Sequence, residues 1–174
     1  MKSIREKLMV PLIWFFTITP LVALFIFNIG ITKTINLSVN NSLKTTVISS
    51  YSEINQVLRG ESYPTDDVKL QDKIEDIRRV LYNTRRVTNV EVYLFNSRAE
   101  FASATGYTVS RDEEQLIEKI KNNINNLNLQ NVVEIKTNSG HYAVMGYMVP
   151  GLFFVDKPYV VFVSSYNILD SIVA

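Results

Sequence analysis

The sequence predicts an α+β protein in which an N-terminal transmembrane helix continues into a long helix packed on an antiparallel sheet of about five strands. Three observations predict it: a twenty-residue stretch without a charge near the start, an apolar stripe at helical spacing directly after it, and short β-branched and aromatic runs separated by turn residues in the second half. At 174 residues the chain has room for one domain of ordinary size and an anchor. Its 47% hydrophobic content is concentrated at one end, which sets the class. A formal net charge of +1 supplies no basic face for phosphates, so a nucleic-acid partner is set aside. The absence of cysteine removes disulfides, thiol nucleophiles and thiolate metal sites.

The uncharged stretch runs from Leu8 to Phe27 and, at 1.5 Å per residue, spans roughly 30 Å of hydrocarbon. Lys2, Arg5 and Lys7 precede it against Glu6 alone, which places the N-terminus inside and the rest of the chain outside. The stretch exceeds a signal-peptide core, and NIGITKTINL offers no small-residue cleavage site, so it reads as an uncleaved anchor. Pro11 and Pro20 within it are tolerated in bilayer helices. The resulting division is a basic cytoplasmic N-terminus (1–7), a transmembrane helix (8–31), an outer domain (32–166) and the start of a membrane-returning helix (167–174).

After the anchor, Ile35, Val39, Leu43, Val47, Tyr51, Ile54 and Leu58 keep one stripe along a helix, read as the face on which the sheet packs rather than a dimer seam. Arg59-Gly60 and Tyr63-Pro64 end it. A second helix opens at Asp66 and Asp67, acids suited to the positive end of its dipole, with Leu70, Ile74, Ile77 and Leu81 on one face. Val90–Phe95 is a strand, Asn96-Ser97 a turn and Glu100–Ala104 its return. Ser110 and Glu113 form a capping box for a helix that buries Ile117, Ile120, Ile124 and Leu127, and the asparagines from 122 to 128 close it. Val132–Thr137, Tyr142–Val149 and Tyr159–Ser165 complete the sheet as antiparallel neighbours.

This succession after a first membrane helix resembles the extracytoplasmic PAS-like sensor domains of the Cache type, found on bacterial sensor histidine kinases. NVEVYLFNSRAEFASATG (89–106) resembles the first hairpin of that family, and KPYVVFVSSYNILDSIVA (157–174) its final strand entering a second membrane helix. The turn Asn96-Ser97-Arg98-Ala99 departs from the family's Asp-x-x-Gly form, and its arginine–aromatic–aspartate pattern for amino-acid ligands is missing, so no ligand class carries over. The resemblance implies a homodimeric receptor in the bacterial cytoplasmic membrane, belonging to a two-component system whose cytoplasmic kinase is not in this sequence.

Strand alternation sets Tyr93 and Phe95 opposite Val92 and Leu94. If the latter pair faces the helices, Tyr93 looks into a cavity for a small-molecule ligand, joined by Phe95, Tyr107, Met145 and Tyr147. The competing reading makes these aromatics ordinary core. His141, the one histidine, reads as a strand residue at the solvent edge. Glu75 and Asp76 precede Arg78 and Arg79 at ion-pair spacing, which favours solvated pairs over an anion-binding patch with Arg85 and Arg86. No phosphate loop, nucleophile elbow or metal motif is present. The sequence therefore predicts no enzyme, no cofactor and no metal. The alternatives are a pilin-like subunit, weakened because MKSIREKLMV has no leader-peptidase glycine, and another membrane-tethered structural or binding protein without signalling output.

Overall fold

The computed structural model describes residues 4–59, 67–88, 90–96, 101–104, 111–149 and 159–166. Tyr107, the Ser110 cap and the returning helix expected over 167–174 lie outside the described residues. The chain divides into two compact units, Met1–Leu37 and Ser38–Ala174.

The first unit is the N-terminal part of α1 (Ile4–Arg59). Trp14, Phe15, Phe16, Phe25 and Phe27 are each more than three-fifths exposed, and α1 is long and apolar enough to cross a membrane. Thr17 and Thr32 return their hydroxyls to the carbonyls of Ile13 and Asn28, which satisfies these polar atoms within the helix.

In the second unit the end of α1 is followed by α2 (Asp67–Thr88), β1 (Glu91–Phe95), β2 (Phe101–Ala104), α3 (Arg111–Asn123), a 3-10 turn (Ile124–Asn126), β3 (Val133–Lys136), β4 (His141–Met148) and β5 (Tyr159–Ser165). Every paired strand is antiparallel and the sheet order is β2-β1-β5-β4-β3. The five expected strands are thus present, with ends displaced by about a residue. The order adds what loop lengths could not: β5, last in sequence, is the central strand, bonded to β1 on one side and β4 on the other.

Both faces of the sheet are covered. On one, Leu43, Val47 and Ile54 of α1 and Ile77 and Leu81 of α2 pack on Val92, Met145, Tyr147 and Phe162. On the other, Leu116 and Ile120 of α3 and Ile124 and Leu127 after it pack on Tyr93, Phe95, Val144, Val161 and Val163. Hence β1, β4 and β5 read as nearly unbroken apolar runs, because alternate side chains enter different cores. The stripe of α1 packs on the sheet as expected. In α3, Leu116 takes the fully buried place expected of Ile117, which is half-buried. Gly146 is required where β4 meets β5: a Cβ there would lie 2.9 Å from the Val160 carbonyl oxygen.

Candidate functional site

Of the five positions expected to share a cavity, the four among the described residues are not brought together on one face. Tyr93 and Phe95 lie in the core beneath α3, whereas Met145 and Tyr147 lie beneath α1 and α2, on the opposite face of the sheet. Period-two alternation is the reason, since β1 and β4 contribute odd-numbered residues to different faces once β5 is inserted between them. All four described members are at most 4% exposed. Tyr93 donates its hydroxyl to Glu113 Oε1 at 3.2 Å, which ties β1 to the first turn of α3.

Tyr147 occupies a different setting. Its ring meets Tyr51 edge-to-face at 5.0 Å and stacks against Phe162 at 5.9 Å, while its hydroxyl and that of Ser50 are buried without a hydrogen-bond partner. Burial raises its pKa, opposed by the proximity of Ser50 and reinforced by Tyr51. The Ser50 hydroxyl lies nearby but outside hydrogen-bond geometry, and an interaction off its preferred distance or angle satisfies neither group.

The arginines of α2 form ion pairs, as the spacing favoured. Arg78 lies 3.9 Å from Glu75 and Arg79 3.5 Å from Asp76, both exposed, and Arg85 reaches Glu91 at 2.8 Å. A groove of about 190 Å³ between α1 and α2, lined by Thr46, Ser49, Glu53, Asn83, Thr84 and Val87, is smaller than sites that enclose a ligand.

Polar chemistry converges instead where β4 begins and β5 ends. His141 Nε2 lies 3.2 Å from Glu134 Oε2, and the other carboxylate oxygen is 3.4 Å from the Tyr166 hydroxyl. That hydroxyl donates to Asn40 Oδ1 of α1 at 2.6 Å, and the Tyr166 ring packs on the imidazole at 4.5 Å. Glu134 is half exposed and His141 about a third, so a carboxylate and an imidazole meet solvent over a buried phenol. Burial raises the Tyr166 pKa, and the Glu134 charge adds to it against the Asn40 hydrogen bond, so the phenol remains a donor. Lys136 stands directly across the ladder from His141 and so shares its face. In the intervening turn the N–H groups of Ser139 and Gly140 both donate to Thr137 Oγ1.

Sequence reasoning placed His141 correctly at a strand edge but missed Glu134, although hairpin register across Asn138-Ser139-Gly140 sets the two on neighbouring rungs of one face. Asn40 and Tyr166 are 126 residues apart and carry no local signal of their pairing.

No curated protein matches this chain. The family model described as ADP-ribosyltransferase exoenzyme matches residues 30–148, more than half of the chain. This match overturns the resemblance to Cache sensor domains and, with it, the expected receptor of a two-component histidine-kinase system; it equally gives no support to the pilin-like alternative. It also overturns the expectation of a segment without enzymatic character. The resemblance rested on an order of helices and antiparallel strands and on two loose strand patterns, and such patterns report burial on a two-faced sheet rather than chemistry. The chain belongs to the ADP-ribosyltransferase exoenzyme family.

Proposed function

We propose that the chain is a membrane-tethered ADP-ribosyltransferase in which Glu134 is the catalytic carboxylate. The family match over residues 30–148 carries the reading. Transfer of ADP-ribose breaks a glycosidic bond through an oxocarbenium-like transition state, and a fixed, ionised carboxylate stabilises the positive charge that develops there. Glu134 has the required attributes: it is reachable from solvent, bonded at both oxygens, and adjacent to an imidazole. The bond from the ribose carbon to its leaving group breaks, the acceptor atom bonds to that carbon, and the acceptor's proton passes to His141 or solvent.

The fit to the donor is partial. Lys136 supplies a cation on the same face for the diphosphate, but the N–H groups of the adjacent turn are spent on Thr137. The apolar N-terminal helix supports a tether, and its basic flank supports an orientation with the N-terminus inside a bacterial cytoplasmic membrane and the second unit outside. Parallel anchoring favours homodimers by confining copies to one plane.

The test uses the full chain in lipid nanodiscs with nicotinamide adenine dinucleotide as donor and measures nicotinamide release. Release is expected from the parent, with a fall of about 10²–10³-fold in kcat for Glu134→Gln and unchanged release for Glu113→Gln. A parent that releases no nicotinamide at saturating donor, or a Glu134→Gln variant that matches it, refutes the proposal.

A further inference from the structure

The Glu134 cluster joins three segments distant in sequence, α1, the β3–β4 hairpin and the residue after β5, and the last of them lies beyond the family-matched residues 30–148. Tyr166 follows β5, is 8% exposed, and has a single hydroxyl proton to give. That proton is shared between two acceptors: Asn40 Oδ1 takes the short arm at 2.6 Å and fixes where the hydroxyl sits, and Glu134 Oε1 takes the long one. From there the phenol oxygen bounds Glu134 Oε1 at 3.4 Å, while His141 Nε2 holds Oε2 at 3.2 Å. The carboxylate is therefore confined at both oxygens, by the first residue of β4 and by the residue that follows β5. The same Tyr166 ring lies 4.5 Å from the imidazole, so one residue locates both members of the acid–imidazole pair.

We infer that Tyr166 is a positioning residue that sets Glu134 against His141, so that the site is complete only when the strand beyond the family-matched segment is in place. The inference rests on the proposed role of Glu134, and Tyr166 itself touches no reacting atom in it. Asn40 acts one step further back, by orienting the phenol from α1.

The experiment compares the full-length parent with Tyr166→Phe, Asn40→Ala and Glu134→Gln in nanodiscs. Tyr166→Phe keeps the ring on His141 and removes only the hydroxyl; Asn40→Ala keeps the hydroxyl and removes its anchor, which guards against one variant failing to fold. Nicotinamide release is expected to fall about tenfold in kcat for Tyr166→Phe, with KM within twofold. The sequence holds one histidine, so the proton on its imidazole Cε1 gives a single resonance that reports its surroundings without any turnover. In Tyr166→Phe at fixed pH this resonance is expected to move in the direction seen for Glu134→Gln and by at least half as much, with a smaller displacement of the same sign in Asn40→Ala. If the resonance stays at the parent position in both folded variants, Tyr166 does not position the pair and the inference fails. If the parent releases no nicotinamide, the proposed activity fails while the resonance still decides the positioning.

Discussion

Replacing Tyr147 by Phe removes one oxygen from the core between α1 and the sheet and leaves everything else there in place. The ring keeps its edge-to-face contact with Tyr51 at 5.0 Å and its stacking on Phe162 at 5.9 Å, so the apolar contribution is conserved. What disappears is a hydroxyl that gave up water on folding and found no partner. Leaving such a group buried costs about 1–3 kcal/mol, so Tyr147→Phe is expected to stabilise the second unit by about 1–2 kcal/mol, less a small loss of dispersion contacts. A domain of this size gains about 3–5 °C per kcal/mol. The substitution also acts on the alkaline limb. Folded Tyr147 has its pKa raised above the ordinary 10.0, chiefly by burial, so an unfolded chain loses this proton first as pH climbs. The associated stability is fully present below pH 10.0 and declines above it, at up to ~1.4 kcal/mol per pH unit until the raised native pKa is reached. Urea unfolding followed by circular dichroism between pH 8 and 11.5, on parent and variant in the same detergent, reads both effects. A variant less stable than the parent by more than about 1 kcal/mol would mean that the hydroxyl has a partner worth a full hydrogen bond. Equal alkaline slopes would separately refute the burial argument.

Gly146→Ala is expected to cost about 1–3 kcal/mol, because the new methyl meets the Val160 carbonyl oxygen at 2.9 Å and the Leu127 side chain at 3.3 Å; thermal unfolding checks it. Ile120→Ala, at a site with no exposure on the sheet-facing side of α3, should lose about 2–5 kcal/mol, whereas Ile117→Ala on the same helix should lose visibly less, and chemical denaturation of the two side by side decides the face. Arg78→Gln and Arg79→Gln are each expected to change stability by less than about 0.5 kcal/mol, since their ion pairs are solvated, and a larger loss in either would show a buried partner.

Helical and strand periodicity made most of the fold legible. Leu43, Val47 and Ile54 announce the packed face of α1 at intervals of four and seven, and Tyr159–Ser165 announces β5 to the residue. The pairing of β3, β4 and β5 was legible from loop length, but the place of β1 beside β5 was not, because nothing local to either strand announces it; that choice follows from the summed burial of two cores. The same placement separated Tyr93 from Tyr147, so a rule valid along one strand failed across three. The candidate site was hidden for a related reason. Glu134 looks like the solvent-facing member of an alternating edge strand, and only the return of the chain at Tyr166 gives it a second neighbour. Family membership lay outside what periodicity reports, since amphipathic patterns encode where a side chain is buried and carry little about the reaction it serves.

The central place of β5 also governs how the second unit can be assembled in time. Until residues 159–165 have been made, β1–β2 and β3–β4 are two separate hairpins, each with an open edge and no hydrogen bond to the other. The last strand closes both edges at once, through contacts about 70 residues apart on the β1 side. Folding should therefore be late and abrupt on a growing chain. A nascent product arrested before residue 159 should present two unmatched strand edges to whatever chaperone or neighbouring copy is nearest.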